Sequence, residues 1–472
     1  MTDKNDRVSQ QRSSSCGLSK ICSPTLIIFV SCKLWTYVGI RFLYPLSQFL
    51  GDDWHLSSQE MSIVLAAGEF VPAGFFSSAG DVIGPNKLVI ISFGSVVISS
   101  SLMLLPPNLI SLVLIRFLYG FSMFLFMIAA QTAATSSVED SQKDCITGLL
   151  ELPFSFSALT LLPLLSLAYE DLGWRAPFAI MAIACVIHYP LLIWVICRQK
   201  PNGSQIRNTS EETELVRMDV VDQAQEQHPP KDDMEQDGHN GTEIPPRDVS
   251  HQRNNTTAGK RKGFCAGLVW GTGALAYNLS GMFLTTAVNL ITTEFGFLLH
   301  SFYKLDESDA GTAALVMGFA EFCGVLLATR NFGPDTKAIE IFSGLFLLCV
   351  IIFTVVGSLG LVIALLSLFP LFLLGELGTV QRLSRADTFA NAVDATAMLG
   401  SQVQFQVIGR TIGALVAAPL FFQDEKDLAR GHFLSCSVAL GAAIATCVFA
   451  RIAAVIQRQY LESEKQPIET FE

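Results

Sequence analysis

The chain is poor in charge. Only 15% of its 472 residues are Asp, Glu, Lys or Arg, where a soluble domain carries about 25%. Half of it is hydrophobic and the mean hydropathy is +0.44. That balance excludes a soluble enzyme, a disordered regulator and a small disulfide scaffold. The eleven cysteines form no Cys-x-x-Cys pair and no Cys/His ligand spacing, so neither a disulfide framework nor a zinc site is expected. Cys32, Cys185, Cys265, Cys323, Cys349, Cys436 and Cys447 lie inside apolar runs and read as small buried hydrophobes. Cys16, Cys22 and Cys197 lie near the ends of apolar runs, where acylation is the alternative use. There is no Gly-x4-Gly-Lys-[Ser/Thr] loop, no His-Glu-x-x-His and no Gly-x-Ser-x-Gly. Direct ATP drive, metalloprotease chemistry and serine-hydrolase chemistry have no residues to carry them, and no cofactor, metal or catalytic residue is expected. The basic run Lys260-Arg261-Lys262 abuts an apolar stretch and reads as a topology anchor or lipid contact, not as a nucleic-acid site.

What the chain has instead is span-length apolar sequence. Such stretches occur at about 24–46, 59–79, 88–106, 109–134, 147–168 and 176–197, and again at about 264–289, 311–329, 338–357, 361–380, 396–422 and 431–455. A bilayer core takes about 20 helical residues, and lipid cannot satisfy exposed backbone groups, so each stretch is expected to be a helix. The first run is too long for the core of a signal peptide and reads as a retained span. The expected architecture is all-α and integral to the membrane, with twelve transmembrane helices in two six-helix bundles. Its parts are an N-terminal tail (1–23), a first bundle (24–197), a linker (198–262), a second bundle (263–456) and a C-terminal tail (457–472). The linker holds no Phe, Tyr or Trp and has too little apolar surface to fold, so disorder is expected there.

Charge sorts by side. Lys4, Arg7, Arg12, Lys20, Lys87, Lys143, Arg330, Lys337, Arg382, Arg385, Arg458 and Lys465 fall on the side of the termini and linker. The opposite loops hold only Arg175, Lys304, Lys426 and Arg430 and are otherwise acidic. Positive residues stay inside, so both termini and the linker are expected in the cytosol, with the protein in the plasma membrane or an organelle membrane. The sequons at Asn202, Asn208, Asn240, Asn254 and Asn255 would then stay unglycosylated.

The halves echo each other. Gly80-Asp81-Val82-Ile83-Gly84-Pro85-Asn86-Lys87 follows the second stretch, and Arg330-Asn331-Phe332-Gly333-Pro334-Asp335-Thr336-Lys337 follows the eighth. Glu69-Phe70 parallels Glu321-Phe322, and Leu162-Pro163-Leu164 parallels Ala418-Pro419-Leu420. A 6+6 duplication with a site between the halves is a recurrent transporter plan.

On these residues the sequence resembles the major facilitator superfamily. The loop from Ser77 to Lys87 keeps Asp81 and Gly84 of that family's Gly-x-x-x-Asp-Arg-x-Gly-Arg-[Arg/Lys] motif but has Val82, Pro85 and Asn86 at basic positions. Arg116-Phe117-Leu118-Tyr119-Gly120 is similar to its span-4 motif, with Tyr119 for the usual Gln. Gly173-Trp174-Arg175-Ala176-Pro177-Phe178, Arg41-Phe42-Leu43-Tyr44-Pro45 and Gly148-Leu149-Leu150-Glu151 resemble its sugar- and drug-efflux branch, although the glycines of the span-5 antiporter motif are absent around Pro163. The resemblance implies an inner-gate loop at Asp81, Gly84, Lys87 and Gly333, a proton-coupling role for Arg116, and a bend in the seventh span near Asn278, Ser280 and Gly281.

An ionisable group at membrane depth must face protein or water. Glu69 and Glu321 are candidates for proton coupling, because a carboxyl group in a partly dry cavity takes up a proton more readily than one in water. Arg41, Arg116 and Arg410 offer forked donors for an anion or for a buried carboxylate. Lys33, Tyr37 and Arg41 share one broad helix face, since eight residues turn about 80° beyond two full turns. Glu151 and Lys33 complete the charged set. Arg116 paired with Glu151 or Glu69 is the purely structural alternative. Gln402 and Gln406 lie one turn apart and suit a polar substrate or a cross-helix bond. His188 reads as a satisfied interior histidine, and Glu376 as interfacial. The expected function is secondary active transport of a small solute by alternating access, coupled to protons or to the solute's own gradient, in a monomer. An uncoupled facilitator or organic-anion permease, and a transport-inactive receptor acting through the linker, are the alternatives. The expected partners are a small-molecule substrate, protons and lipid.

Overall fold

The structure is a computed structural model that describes residues 23–70, 83–135, 140–198, 273–328, 335–386, 389, 395–423 and 427–465. Met1–Ile196 and Gly263–Glu472 form one compact unit, and Cys197–Lys262 separates from it. The linker beyond Arg198 and the loop around Asp81 lie outside the described residues, as does the one around Gly333.

Helix starts follow local chemistry. The first helix, α1 (Pro24–Arg41), opens with Pro24 at its first position and the Ser23 hydroxyl accepting from the Leu26 N–H at 3.2 Å. Proline loses nothing there, because that N–H has no helical partner. The first span is not the continuous helix expected over 24–46. The chain turns at Phe42–Leu46, where Pro45 has no N–H to continue the ladder, and resumes as α2 (Ser47–Asp53). Next, α3 (Ser58–Glu69) starts in a capping box, with the Ser57 hydroxyl on the Glu60 N–H and the Glu60 carboxylate on the Ser57 N–H. Gly84, at φ 89°, leads into α4 (Pro85–Leu102), and that left-handed conformation favours glycine. Asn108 and Ser111 cap α5 (Leu109–Thr135) reciprocally.

The fifth span is divided. It runs as α6 (Asp140–Phe156), a π-turn over Ser157–Leu161 and α7 (Leu162–Leu172). Pro163 cannot donate to Leu159, and the Leu162 N–H bonds five residues back, to Ser157. The remaining helices are α8 (Arg175–Arg198), α9 (Gly273–Phe297, continued by a π-turn over Leu298–Phe302), α10 (Glu307–Ala328), α11 (Asp335–Val356), α12 (Leu361–Ser384), α13 (Ala395–Phe421) and α14 (Leu428–Lys465). Near Asn278, where a bend is expected, α9 keeps its helical hydrogen bonding without interruption, and Asn278 donates to the Ser401 hydroxyl at 2.8 Å.

Among the described residues, ten helices are long and apolar enough to cross a membrane. The expected count of twelve also needs α1, which carries Lys33 and Arg41, and α3, described only to Glu69. Polarity is reversed from that of a soluble protein. Ile110 is 74% exposed and Leu366 70%, while Arg116 is 1% exposed. Apolar side chains outside and paired charges inside are what a hydrocarbon solvent selects.

Within the first half α4 packs on α5, α3 on α5, and α6 on α1; within the second, α9 packs on α13 and α14, and α12 on α10 and α11. The halves meet where α3 touches α13, where α6, its π-turn and α7 touch α10, and where α2 touches α9. The end carrying the start of α1 and the end of α14 is called inner here. At the outer end, Gly311 of α10 lies against Ser166 of α7, and Gly296 of α9 against the Tyr44 carbonyl. His300 sits 3.6 Å from Asp52 and edge-on to the Phe49 ring.

Small residues permit the closest crossings. A Cβ on Gly120 of α5 would collide with the Gly68 carbonyl of α3. The Gly120→Ala variant is therefore expected to lose about 1–3 kcal/mol of stability, read as a lower melting temperature of the detergent-purified protein. An unchanged melting temperature would show that this crossing has room to spare.

Candidate functional site

A cavity lies between the halves, lined by the middle parts of the helices. Its two adjoining chambers share Tyr37, Phe154, Glu376, Thr379 and Arg410. One reaches inward between Gln131 of α5, Leu383 of α12 and Val403 of α13. The other is bounded by Arg41, Tyr44, Glu69, Asn289 and Glu321.

Arg41 and Glu321 join the halves. The guanidinium of α1 meets the carboxylate of α10 in a fork, with Nη2 donating to Oε1 at 2.7 Å and Nη1 donating to Oε2. Nη1 also donates to the Phe154 carbonyl at 3.2 Å, and Cζ lies 4.1 Å from the Phe154 ring centre. Lys33 donates to Glu151 at 2.7 Å, and the Tyr37 hydroxyl reaches the other oxygen of that carboxylate at 3.1 Å. The expected Lys33–Tyr37–Arg41 face therefore exists, and each member of it has a partner.

Glu69 ends α3. It accepts from the Tyr44 hydroxyl at 2.6 Å, and its Oε2 is buried without a hydrogen-bond partner. Arg116 lies behind α1, outside the cavity lining. Its Nη1 donates to the Gly39 carbonyl at 2.8 Å, while Nε and Nη2 have no hydrogen-bond partner. Neither structural pairing expected for Arg116 forms, because Glu151 is held by Lys33 and Glu69 by Tyr44.

Arg410 is different. It lines both chambers, and among the described residues its guanidinium makes no hydrogen bond and no ion pair. Its Cζ lies 5.9 Å from the centre of the Phe154 ring, and it shares its chamber with Glu69, Tyr37, Tyr44 and Glu376. Glu376 likewise lines both chambers without a hydrogen bond or ion pair among the described residues. The interfacial placement expected for it is wrong. The helix α12 runs on to Ser384, so Glu376 sits more than two turns from its inner end. The same extension takes Arg382 out of the loop. It is 1% exposed and donates to Ser280, Ser343 and the Gly378 carbonyl.

Gln402 and Gln406 part company. Gln406 lines the inner chamber, but Gln402 is fully buried against Gly281. His188 is satisfied as expected, by the Ser31 hydroxyl and the Ala184 carbonyl, each at 2.7 Å. Of the inner-gate residues, Gly84 opens α4 and Lys87 is exposed in its first turn. Asp81 and Gly333 lie outside the described residues.

Buried charge in and behind the cavity wall is balanced once Lys33 and Arg116 are counted with the lining groups. Lys33, Arg41, Arg116 and Arg410 are matched by Glu69, Glu151, Glu321 and Glu376. The forked pair between the halves is open to a direct test. Glu321→Leu strands the Arg41 charge and is expected to destabilise by about 3–5 kcal/mol, whereas the double variant Arg41→Leu/Glu321→Leu regains most of that loss. Melting in detergent reads both, and equal losses would show that pairing contributes nothing there.

The comparisons agree with this architecture. A structure solved for insight into substrate recognition in proton dependent oligopeptide transporters superposes with a TM-score of 0.62 at 16% identity, covering 93% of this chain and 99% of that one. The human organic anion transporter MFSD10 (TETRAN) superposes with a TM-score of 0.58 at 14% identity, covering 90% and 99%. Identities this low show a shared fold and nothing finer. No curated protein sequence matches the chain. The sequence model of the Major Facilitator Superfamily matches residues 29–418, and with the paired halves around a cavity this establishes that the chain belongs to that superfamily.

Proposed function

We propose that the protein is a proton-linked carrier of a small organic anion that works by alternating access. The observation behind this reading is Arg410, a cation in the cavity wall with no hydrogen bond or ion pair among the described residues. A guanidinium offers two parallel N–H donors to a carboxylate, a fork that an ammonium lacks. Phe154, Tyr37, Met127 and Ile128 line the same chamber and suit the carbon body of such a substrate.

Proton linkage follows from charge balance. With every group ionised, the four carboxylates of the cavity wall are cancelled by Arg41 and Arg410 in the wall and by Lys33 and Arg116 behind it. An anion arriving alone would leave one uncompensated negative charge in a poorly solvated site, which is costly. A proton on Glu376, the carboxylate without a protein partner, restores neutrality. Substrate and proton then enter and leave together. The Arg41–Glu321 fork links the halves near the pivot, while the outer contacts at Gly296, Gly311 and His300 part when the cavity opens the other way. We place the termini on the cytosolic side from the charge bias of the loops.

Glu376 also supports a second reading. If it stays ionised, the site suits a zwitterion, with a carboxylate on Arg410 and an ammonium on Glu376, and no proton is needed.

The first step is a thermal-shift panel of monocarboxylates, dicarboxylates, amino acids and inorganic phosphate at pH 6 and pH 7.5. Liposome uptake of the stabilising compound follows. Arg410→Ala is expected to weaken apparent affinity by at least about 30-fold, the equivalent of losing about 2 kcal/mol from a buried charged contact. Glu376→Gln is expected to keep substrate exchange but lose its response to an imposed pH gradient. If Glu376→Gln instead abolishes binding of amino acids alone, the zwitterion reading stands. Full transport by Arg410→Ala would sink both.

A further inference from the structure

We propose that Glu294, His432 and Cys436 form a binding site for a divalent transition-metal ion of the zinc type inside the second half. The spacing of ligands along the chain hides it, since Glu294 precedes His432 by 138 residues. The fold brings them together where the outer part of α9 packs on the first turns of α14. His432 and Cys436 are four apart and share one face of α14, and Glu294 faces them from α9. The ligand atoms all lie within 4.8 Å of one another. His432 Nδ1 is 2.5 Å from Glu294 Oε1, and Cys436 Sγ lies 3.8 Å from that same oxygen and 3.6 Å from His432 Nδ1.

These separations can be judged against a tetrahedral ion. Zinc bonds of about 2.0–2.1 Å to nitrogen, 2.0–2.2 Å to oxygen and 2.3 Å to sulfur set ligand-to-ligand edges of about 3.4 Å for N···O and about 3.6 Å where sulfur takes part. The two sulfur edges are already that long. The short His432–Glu294 edge is spanned by a proton, and exchanging that proton for the ion requires the edge to open by about 0.9 Å.

The surroundings hold these groups in place. The Ser435 hydroxyl donates to Glu294 Oε2 at 2.8 Å, and the His432 ring packs edge-on against the Phe353 ring. A ligating carboxylate held by a hydroxyl is a usual outer partner of a metal site. Gly357 leaves room for the imidazole, since a Cβ there would lie 2.7 Å from Cε1 and Nε2. The side chains of Glu294, His432 and Cys436 are no more than 1% exposed.

Charge balance fits a buried site. The divalent ion displaces the proton shared by His432 and Glu294 and the thiol proton of Cys436, so two protons leave as one dication enters. A carboxylate, a thiolate and a neutral imidazole then cancel the ion. Such a centre would tie α9 to α14 beside Gly296, where the second half meets the first.

The test uses the full-length protein purified in detergent, with cobalt(II) as the probe. The expected result is one equivalent of cobalt bound, with a thiolate-to-cobalt charge-transfer band in the near ultraviolet that zinc abolishes. Cys436→Ser should lose that band, and His432→Gln should bind at least tenfold more weakly. Each variant should keep its metal-free melting temperature relative to wild type more closely than its metal-bound one. A folded wild-type protein that takes up no cobalt overturns the proposal. So does cobalt binding that persists unchanged in both variants, which would locate the ion elsewhere. If the variants fail to fold, the wild-type spectrum alone decides, through the presence or absence of the thiolate band.

Discussion

Every charge buried at membrane depth needs compensation, because there is no bulk water to supply it. The forked pair between Arg41 and Glu321 meets that demand across the two halves of the molecule. The other charges arrange themselves around it. Lys33 neutralises Glu151 on one side, Tyr44 holds one oxygen of Glu69 on the other, and Arg410 and Glu376 are left facing the cavity. A single alternative pairing, such as Arg116 with Glu151, would strand Lys33 beside Tyr37. The charge pattern thus favours the packing of α1 against α6 and the reach of Arg41 to Glu321 of α10.

Much of this was legible in the sequence. Apolar runs of span length, interrupted by Pro and Gly at their ends, identify helices and their order because lipid permits so few alternatives. Arg41, Glu69, Glu321 and Arg410 are conspicuous in such runs, and all line the cavity. Less visible was what each of them touches. Arg116 and Arg410 look alike in one dimension, yet one is packed behind α1 and the other faces open space. Glu376 was misread because helix ends are set by hydrogen bonds, and α12 runs to Ser384, beyond the apolar run that marked it. The unbroken α9 shows the opposite error. Asn278 and Ser280 look like interruptions, but both find partners without unwinding the backbone.

Proline marks the break in the fifth span. Leu162-Pro163 and Ala418-Pro419 are sequence echoes, but only the first is accompanied by a π-turn among the described residues. That turn presents Ala158 and Leu159 to Gly318 of α10, so close that the glycine has no space for a side chain. The duplicated halves are alike in plan and differ where they touch.

The balance between cations and carboxylates around the cavity has an electrical consequence. A membrane potential does work on a moving site only in proportion to the net charge that site carries, about 2.3 kcal/mol per elementary charge for each 100 mV. A neutral empty cavity and a cavity holding an anion with its proton are alike in this respect. In the proposed cycle, in which an anion travels with its proton, voltage would then neither drive nor hold back either stroke, and the solute gradients alone would set its direction.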